Sequence, residues 1–425
     1  MECSINCYTA EKNMRARLQK IIKTDTTYLA QGGFWLSLSY GLQVSIGIIT
    51  TVALANLLDK ETLGLYQYVL AVAGVVSALT LSGLGAAITR GVAKGHDGLL
   101  RSGVRTKLKW SIGIVLASAV VATYYLVQGN FTLGLAFLFV GACAPFIESF
   151  KLYENYLHGK EAFRDSVLLG AWRKPLPAVA LITTAWFYPD PLTLIAVYFL
   201  TNTLSLFLVY KRVTHKYQQP IGSDAETTTL SKHLSVITIL SRIVEQADKV
   251  LIWHLLGPVS VATYSIAQLS SRYAGGLLNT VTALALPKFA KRDLPTLQKT
   301  LPRKVALFSG VMVVGVIVYF FAAPFVFALL FPTFPEAVVI SQALALVFIF
   351  VPRSLYGKAL LAHNQIRSQY LLGITSPLMR LVLFVICIPL YGLWGAVYAL
   401  LISGVIDMLL SYTLFKRARP SVEQT

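Results

Sequence analysis

Three arginines, Arg242, Arg272 and Arg380, stand inside long apolar runs of this chain. An ionisable group at membrane depth is costly and marks a protein interior or a water-filled path. Guanidinium binds phosphate through paired donors, which suits it to an anionic headgroup leaving water. At 1.5 Å per helical residue, each lies roughly 15–20 Å into its expected helix. Lys249 and the pair Arg173-Lys174, set before Pro175-Leu176-Pro177, complete a candidate cationic cavity. The bland alternative for Arg242 and Lys249 is pairing with Glu245, which stands at i,i+3 from one and i,i+4 from the other. For Arg173 and Lys174 it is snorkelling to the interface, and Arg353 and Lys358 invite the same comparison. Glu148, Glu245, Asp248 and Asp407 are the acids that could hold a coupling proton or Na+. Structural pairing, for instance of Glu148 with Lys151, is their alternative.

Apolar runs must position these groups. Of the 425 residues 56% are hydrophobic and 13% charged, with a mean hydropathy of +0.64. Soluble domains carry about twice that share of charge. The reading is an all-α integral membrane protein of twelve transmembrane helices: 33–57, 62–88, 108–127, 131–150, 166–187, 190–210, 233–256, 259–286, 304–330, 336–357, 368–389 and 391–415. Each is long enough to span a bilayer. Alternate connections are basic. Asp59-Lys60-Glu61 holds one lysine, the stretch from Arg90 to Lys109 holds Arg90, Lys94, Arg101, Arg105, Lys107 and Lys109, and Gln128-Gly129-Asn130 holds none. Loops rich in Lys and Arg stay in the cytoplasm, which predicts both termini inside. Two basic stretches, Ala93 to Thr106 and Phe289 to Pro302, mix apolar and basic residues as surface helices on an anionic leaflet do; a solvated loop is the alternative.

A polar connection then divides the chain. The expected layout is a cytoplasmic tail over 1–28, a six-helix lobe over 29–213, a linker over 214–230, a second six-helix lobe over 231–416 and a tail over 417–425. The halves match. Leu57-Leu58 and Tyr66 recur as Leu255-Leu256 and Tyr264 at an offset of 198, which carries Arg90 onto Lys288 and Lys94 onto Arg292. Six helices per half put the pseudo-symmetry axis along the membrane normal.

The net charge of +18 would point a soluble protein to nucleic acid. Here topology and anionic lipid account for it, so no nucleic acid is expected. Cys143 and Cys387 fall inside spans and Cys3 and Cys7 on the inner tail, so no structural disulfide, metal or cofactor is expected. The first 30 or so residues lack the apolar core of a signal peptide, and Met14, followed by Arg15 and Arg17, reads as a natural start.

The first hairpin reads Val52-Ala53-Leu54-Ala55-Asn56-Leu57-Leu58-Asp59-Lys60-Glu61-Thr62-Leu63-Gly64-Leu65-Tyr66-Gln67. That run resembles the N-terminal signature of polysaccharide flippases in the multidrug/oligosaccharidyl-lipid/polysaccharide exporter superfamily. Asp248-Lys249-Val250-Leu251-Ile252 followed by Leu256-Gly257 and Tyr264 resembles its seventh-helix signature. The resemblance covers the chain from Leu29 to Lys416. It implies two six-helix bundles forming a V, as in multidrug (MATE-like) members. It implies flipping of an undecaprenyl-pyrophosphate-linked oligosaccharide, of O-antigen, capsule or another surface glycan, across the bacterial cytoplasmic (inner) membrane. The expected partners are the bilayer, that polyprenyl-pyrophosphate-linked glycan, a coupling H+ or Na+, and a glycan polymerase with glycosyltransferases, the flippase itself being a monomer.

Two other classes were weighed. A cation-coupled drug antiporter of the same superfamily needs an acidic cavity, and the first six helices hold one deep acid, Glu148. A membrane-embedded glycan-processing enzyme needs acid, base or clamp residues on a sizeable outer loop. The outer connections are a few residues long, so no enzyme is expected.

Overall fold

The computed structural model describes residues 26–217, 225–283, 285, 288–289, 292–363 and 365–418. Most of the two expected tails, residues 218–224 of the linker, Cys3 and Cys7 lie outside these residues. All regular structure among the described residues is helical.

The first half begins with α1 (Thr26–Leu57), α2 (Lys60–Ser77) and α3 (Leu84–Ala93). Asp59 caps α2 by accepting from the Thr62 amide at 2.9 Å, which explains the Asp at that tight turn. The chain continues through α4 (Leu99–Trp110), α5 (Ile112–Val127), α6 (Phe131–Phe150) and α7 (Leu152–Gly159). It ends with α8 (Phe163–Arg173), α9 (Pro175–Phe187) and α10 (Pro191–Lys216). Asn130 and Asp190 cap α6 and α10 in the same way, through the Leu133 and Thr193 amides. The second half holds α11 (Ala225–Leu256), α12 (Pro258–Ala267), α13 (Leu269–Ala283) and α14 (Leu294–Leu330). After these come α15 (Glu336–Ala345), a 3₁₀ segment (Leu346–Arg353), α16 (Ser354–Ala362), α17 (Ile366–Tyr391) and α18 (Leu393–Arg417).

Among the described residues, eight stretches are long and apolar enough to cross a bilayer: Ser37–Leu57, Leu99–Val127, Phe131–Gly159, Pro191–Lys216, Leu294–Leu330, Glu336–Ala362, Ile366–Tyr391 and Leu393–Arg417. Exposed large apolar side chains such as Val120, Phe321, Phe325 and Leu329 cover their outer faces, as lipid-facing helices require. The other expected segments, 62–88, 166–187, 233–256 and 259–286, are helical but fall short for physical reasons. The first is broken between α2 and α3, and the second at Lys174 before Pro175. The third carries Arg242, Glu245, Asp248 and Lys249, and the fourth is rich in Ser and Thr.

Of the two expected surface helices, the first stretch overlaps α4, with Leu100, Gly103, Val104 and Lys107 buried along one face. The second overlaps the start of α14, which continues through Pro302.

Most packing stays within each half. α5 pairs with α6, α6 with α10, and α17 with α18. The halves meet chiefly where α2 lies against α11 and α12. That approach needs Gly64, because a Cβ there would lie 2.0 Å from the Pro258 carbonyl oxygen. Tyr68 on α2 stacks on Trp253 of α11 at 4.3 Å between ring centroids. At the end where the chain turns after Leu57, further contacts join the halves. Asn56 donates to the Leu330 carbonyl at 2.9 Å, Thr333 donates to the Ala55 carbonyl at 3.2 Å, and Lys60 pairs with Glu336 at 3.3 Å.

Candidate functional site: a charged cavity between the halves

A cavity of about 740 Å³ opens between the two halves. Its walls come from α1, α2, α6, α7, α8, α9, α10, α11 and α13. Three of the four expected segments too polar or too broken to count as simple spans supply large parts of that wall. Polarity that would be costly against lipid is placed around an interior space instead. α1 passes close to α13: Tyr40 donates to the Tyr273 carbonyl at 2.7 Å, and the Tyr273 hydroxyl lies where a Cβ on Gly47 would be, 2.1 Å away.

Five cations line the cavity, Lys151, Arg173, Lys174, Arg242 and Arg272, against three carboxylates, Glu148, Glu154 and Glu245. The positive excess is unevenly held. Glu148 on α6 gathers Lys151 at 3.0 Å, Lys107 at 3.3 Å and, from the other half, Arg242 at 3.9 Å. Arg173 reaches Glu154 at 3.4 Å and donates to the Tyr153 hydroxyl at 3.2 Å. Lys174, at the α8–α9 break, donates to Gln43 at 3.1 Å and Ser39 at 3.4 Å, both neutral. Arg272 on α13 is exposed to the cavity and has no carboxylate partner among the described residues. Lys174 and Arg272 therefore make no ion pair among the described residues, and Arg242 is held by a long contact. Between these charges lie amides and phenols: Gln43, Gln67, Asn202, Gln246, and Tyr66 edge-on to Tyr198 at 6.0 Å.

Of the sequence candidates, Arg173, Lys174, Arg242, Arg272, Glu148 and Glu245 thus share one wall system. The i,i+3 and i,i+4 pairs weighed for Glu245 are not made. Arg242 turns to Glu148, and Glu245 is exposed with no ion-pair partner among the described residues. Arg380, Lys249, Asp248 and Asp407 lie outside the cavity lining. Arg380 on α17 joins Arg353 at Asp407 of α18, at 3.6 Å and 3.0 Å. Asp248 is buried and accepts from the Tyr264 hydroxyl at 2.9 Å and the Gln268 amide at 3.0 Å. Lys249 is 3% exposed. Arg353 is no snorkelling anchor, because it is committed to that ion pair.

Lys107, Lys151 and Glu154 were read as parts of cytoplasmic connections. The helical signal for the last two lay in their spacing: Glu148, Lys151 and Glu154 fall at i, i+3 and i+6, which extends one face of α6 into α7. Lys107 follows Leu100, Gly103 and Val104 at helical intervals, so the face that buries α4 buries the lysine with it.

The comparisons with known proteins agree with this architecture. The fold is similar to that of a lipid II flippase MurJ in an inward closed conformation, with a TM-score of 0.69, 13% identity and 89% of each chain covered. It is similar to MATE in complex with MaD5, with a TM-score of 0.63, 13% identity, and 92% of this chain and 94% of that one covered. It is similar to a MOP superfamily transporter from Pyrococcus furiosus Vc1 (DSM3638), described as having a binding pocket of reverse polarity. That match has a TM-score of 0.59, 14% identity, and coverage of 92% and 96%. No curated protein sequence matches this one. The family model for polysaccharide biosynthesis proteins matches residues 29–292, well over half of the chain, and the chain belongs to that family.

Proposed function

We propose that this protein is a transporter that flips an undecaprenyl-pyrophosphate-linked oligosaccharide across the bacterial cytoplasmic membrane by alternating access. The observation that carries the reading is the cavity between the halves, where Lys174 and Arg272 make no ion pair among the described residues and Arg242 is held at 3.9 Å. A pyrophosphate leaving water needs such donors, because an unpaired anion in a low-dielectric site is prohibitively costly. Gln43, Gln67, Asn202 and the tyrosines offer hydrogen bonds and ring faces to sugars. Twelve crossings, lobes over 29–213 and 231–416, and both termini inside fit the charge pattern of the loops. Beside Leu57 the halves are joined by the Asn56, Thr333 and Lys60–Glu336 contacts and by the close packing of Gly64 on Pro258, and these are the contacts that must part when that end opens. H+ or Na+ coupling through Glu245, a monomeric state, and work beside glycosyltransferases and a polymerase complete the proposal.

The test is surface-glycan export in cells depleted of the endogenous protein. Variants Arg242→Ala and Arg272→Ala, present at normal membrane levels, are expected to lose most export. Full export by both would sink the reading. One observation favours a second reading, a cation-coupled drug antiporter: Glu245 is exposed in the cavity without an ion pair among the described residues. Proton-driven efflux of a cationic dye, abolished by Glu245→Gln, would support it.

A further inference from the structure

A second concavity, separate from the cavity, also uses α8 as a wall. It encloses about 390 Å³ between α8 and the last turns of α10. Leu168, Leu169, Trp172 and Val213 form its apolar walls, and Arg212 and Lys216 stand at its rim. The two cations are not equivalent. Lys216 is bonded to Asp165, which also accepts from the Tyr217 hydroxyl at 2.7 Å. Arg212 is exposed and has no ion-pair partner among the described residues. Trp172 is 40% exposed and Leu168 49% exposed, so the walls remain open in the isolated protein.

The position of the slot fixes what surrounds it. α10 follows its cap at Asp190 with a long apolar run and ends on Lys211, Arg212, His215 and Lys216. A spanning helix that ends this way puts its last turn at the headgroup level of the basic side. The apolar floor then lies at acyl depth and Arg212 among headgroups. Anionic lipids concentrate on that leaflet and are attracted by each such charge. A flat lipid-facing surface would solvate any acyl chain; a slot with one unneutralised guanidinium at its mouth selects a chain that carries a phosphate.

We infer that this slot binds one anionic phospholipid of the surrounding bilayer, with its phosphate on Arg212 and an acyl chain between Leu168, Trp172 and Val213. The inference depends on the protein spanning a membrane and not on the identity of its cargo. It also gives α8 two roles. Trp172 meets lipid while the adjacent Arg173 turns inward to Tyr153 and Glu154, so a bound lipid braces the helix that holds one cavity wall.

The experiment uses the purified full chain in a neutral detergent. Native mass spectrometry counts retained lipids, and thermal unfolding compares phosphatidylglycerol with phosphatidylcholine of the same chains. Wild type is expected to retain one phosphatidylglycerol and to gain several degrees in Tm from it over phosphatidylcholine. Arg212→Gln should weaken that binding at least tenfold while leaving the Asp165–Lys216–Tyr217 contacts in place. Leu168→Trp should expel the lipid by filling the slot. Equal stabilisation by the two lipids overturns the inference, as does unchanged phosphatidylglycerol retention in Arg212→Gln. Displacement of the bound phosphatidylglycerol by an equal concentration of farnesyl phosphate also overturns it, because the slot would then belong to polyprenyl chains.

Discussion

Glu148 and Asp407 each gather more than one cation, in different surroundings. Glu148 sits in the first half, and one of its three partners, Arg242, crosses from the second. Lys151 and Arg242 keep half or nearly half of their side-chain surface open, at 50% and 43%. Asp407 is 2% exposed, and both its partners, Arg353 and Arg380, belong to its own half. Its second oxygen, Oδ1, is buried with no hydrogen-bond partner, and so is Nε of Arg380. One carboxylate holds cations at the edge of an open space and can trade them for another anion. The other is a buried carboxylate that holds two arginines of its own half, each only about a quarter exposed. An arginine deep in a membrane helix is therefore a cargo ligand only if it faces a cavity and its counter-charge is weak or missing.

The comparison is easiest to break at Asp407. Asp407→Asn leaves two partly buried guanidiniums, 23% and 28% exposed, without their buried carboxylate. Removing one partner of a buried pair costs about 3–5 kcal/mol. The expected result is a large fall in Tm and in folded protein recovered from membranes. A variant as stable as wild type would show that this carboxylate contributes nothing and would erase the contrast with Glu148.

Glu148→Gln should cost less, about 1–3 kcal/mol, because Lys151 and Arg242 can turn to the cavity. Lys107, 6% exposed, cannot. The double variant Lys107→Met with Glu148→Gln should thus be more stable than Glu148→Gln alone. Chemical unfolding of the four species gives the coupling directly, and an additive result would mean that Lys107 does not depend on Glu148.

These clusters also mark how far the sequence could be read. Helices and their order were legible because runs of about twenty apolar residues have few other uses. Arg242, Arg272 and Glu148 stood out because charge in such runs is rare. Partners were not legible. Local spacing offered Glu245 to Arg242, yet its partner lies 94 positions away, because α11 packs across the divide and its side chains meet the opposite half. Arg380 looked as free as Arg272, and only packing of α17, α18 and the 3₁₀ segment separates the two. Breaks at Ala78–Gly83 and at Lys174 were hidden because apolar content continues through them.

Arg272→Gln sharpens the contrast in a single residue. With no carboxylate to strand, its stability should stay within about 0.5 kcal/mol of wild type, the range of a surface change. Glycan export should nevertheless fall at least tenfold at equal membrane level. A variant that instead unfolds like Asp407→Asn would place Arg272 among the structural arginines.

The smallest effect is expected at Asp165, a partly exposed carboxylate in the lining of the lipid slot, which acts as a control for both clusters. The Lys216 ammonium and the Tyr217 hydroxyl, both bonded to it, hold the Asp165 carboxyl below the usual aspartate range. A carboxylate depressed in the folded state stabilises it above the unfolded pKa of about 3.9 and loses that contribution as pH falls through the folded value. Wild type should therefore exceed Asp165→Asn in Tm at pH 7, with the gap closing below about pH 4. For a partly exposed pair the difference should not exceed about 1 kcal/mol. A gap that widens on acidification would mean that the carboxyl is held protonated, and the latch between α8 and α10 would be a neutral hydrogen bond rather than an ion pair.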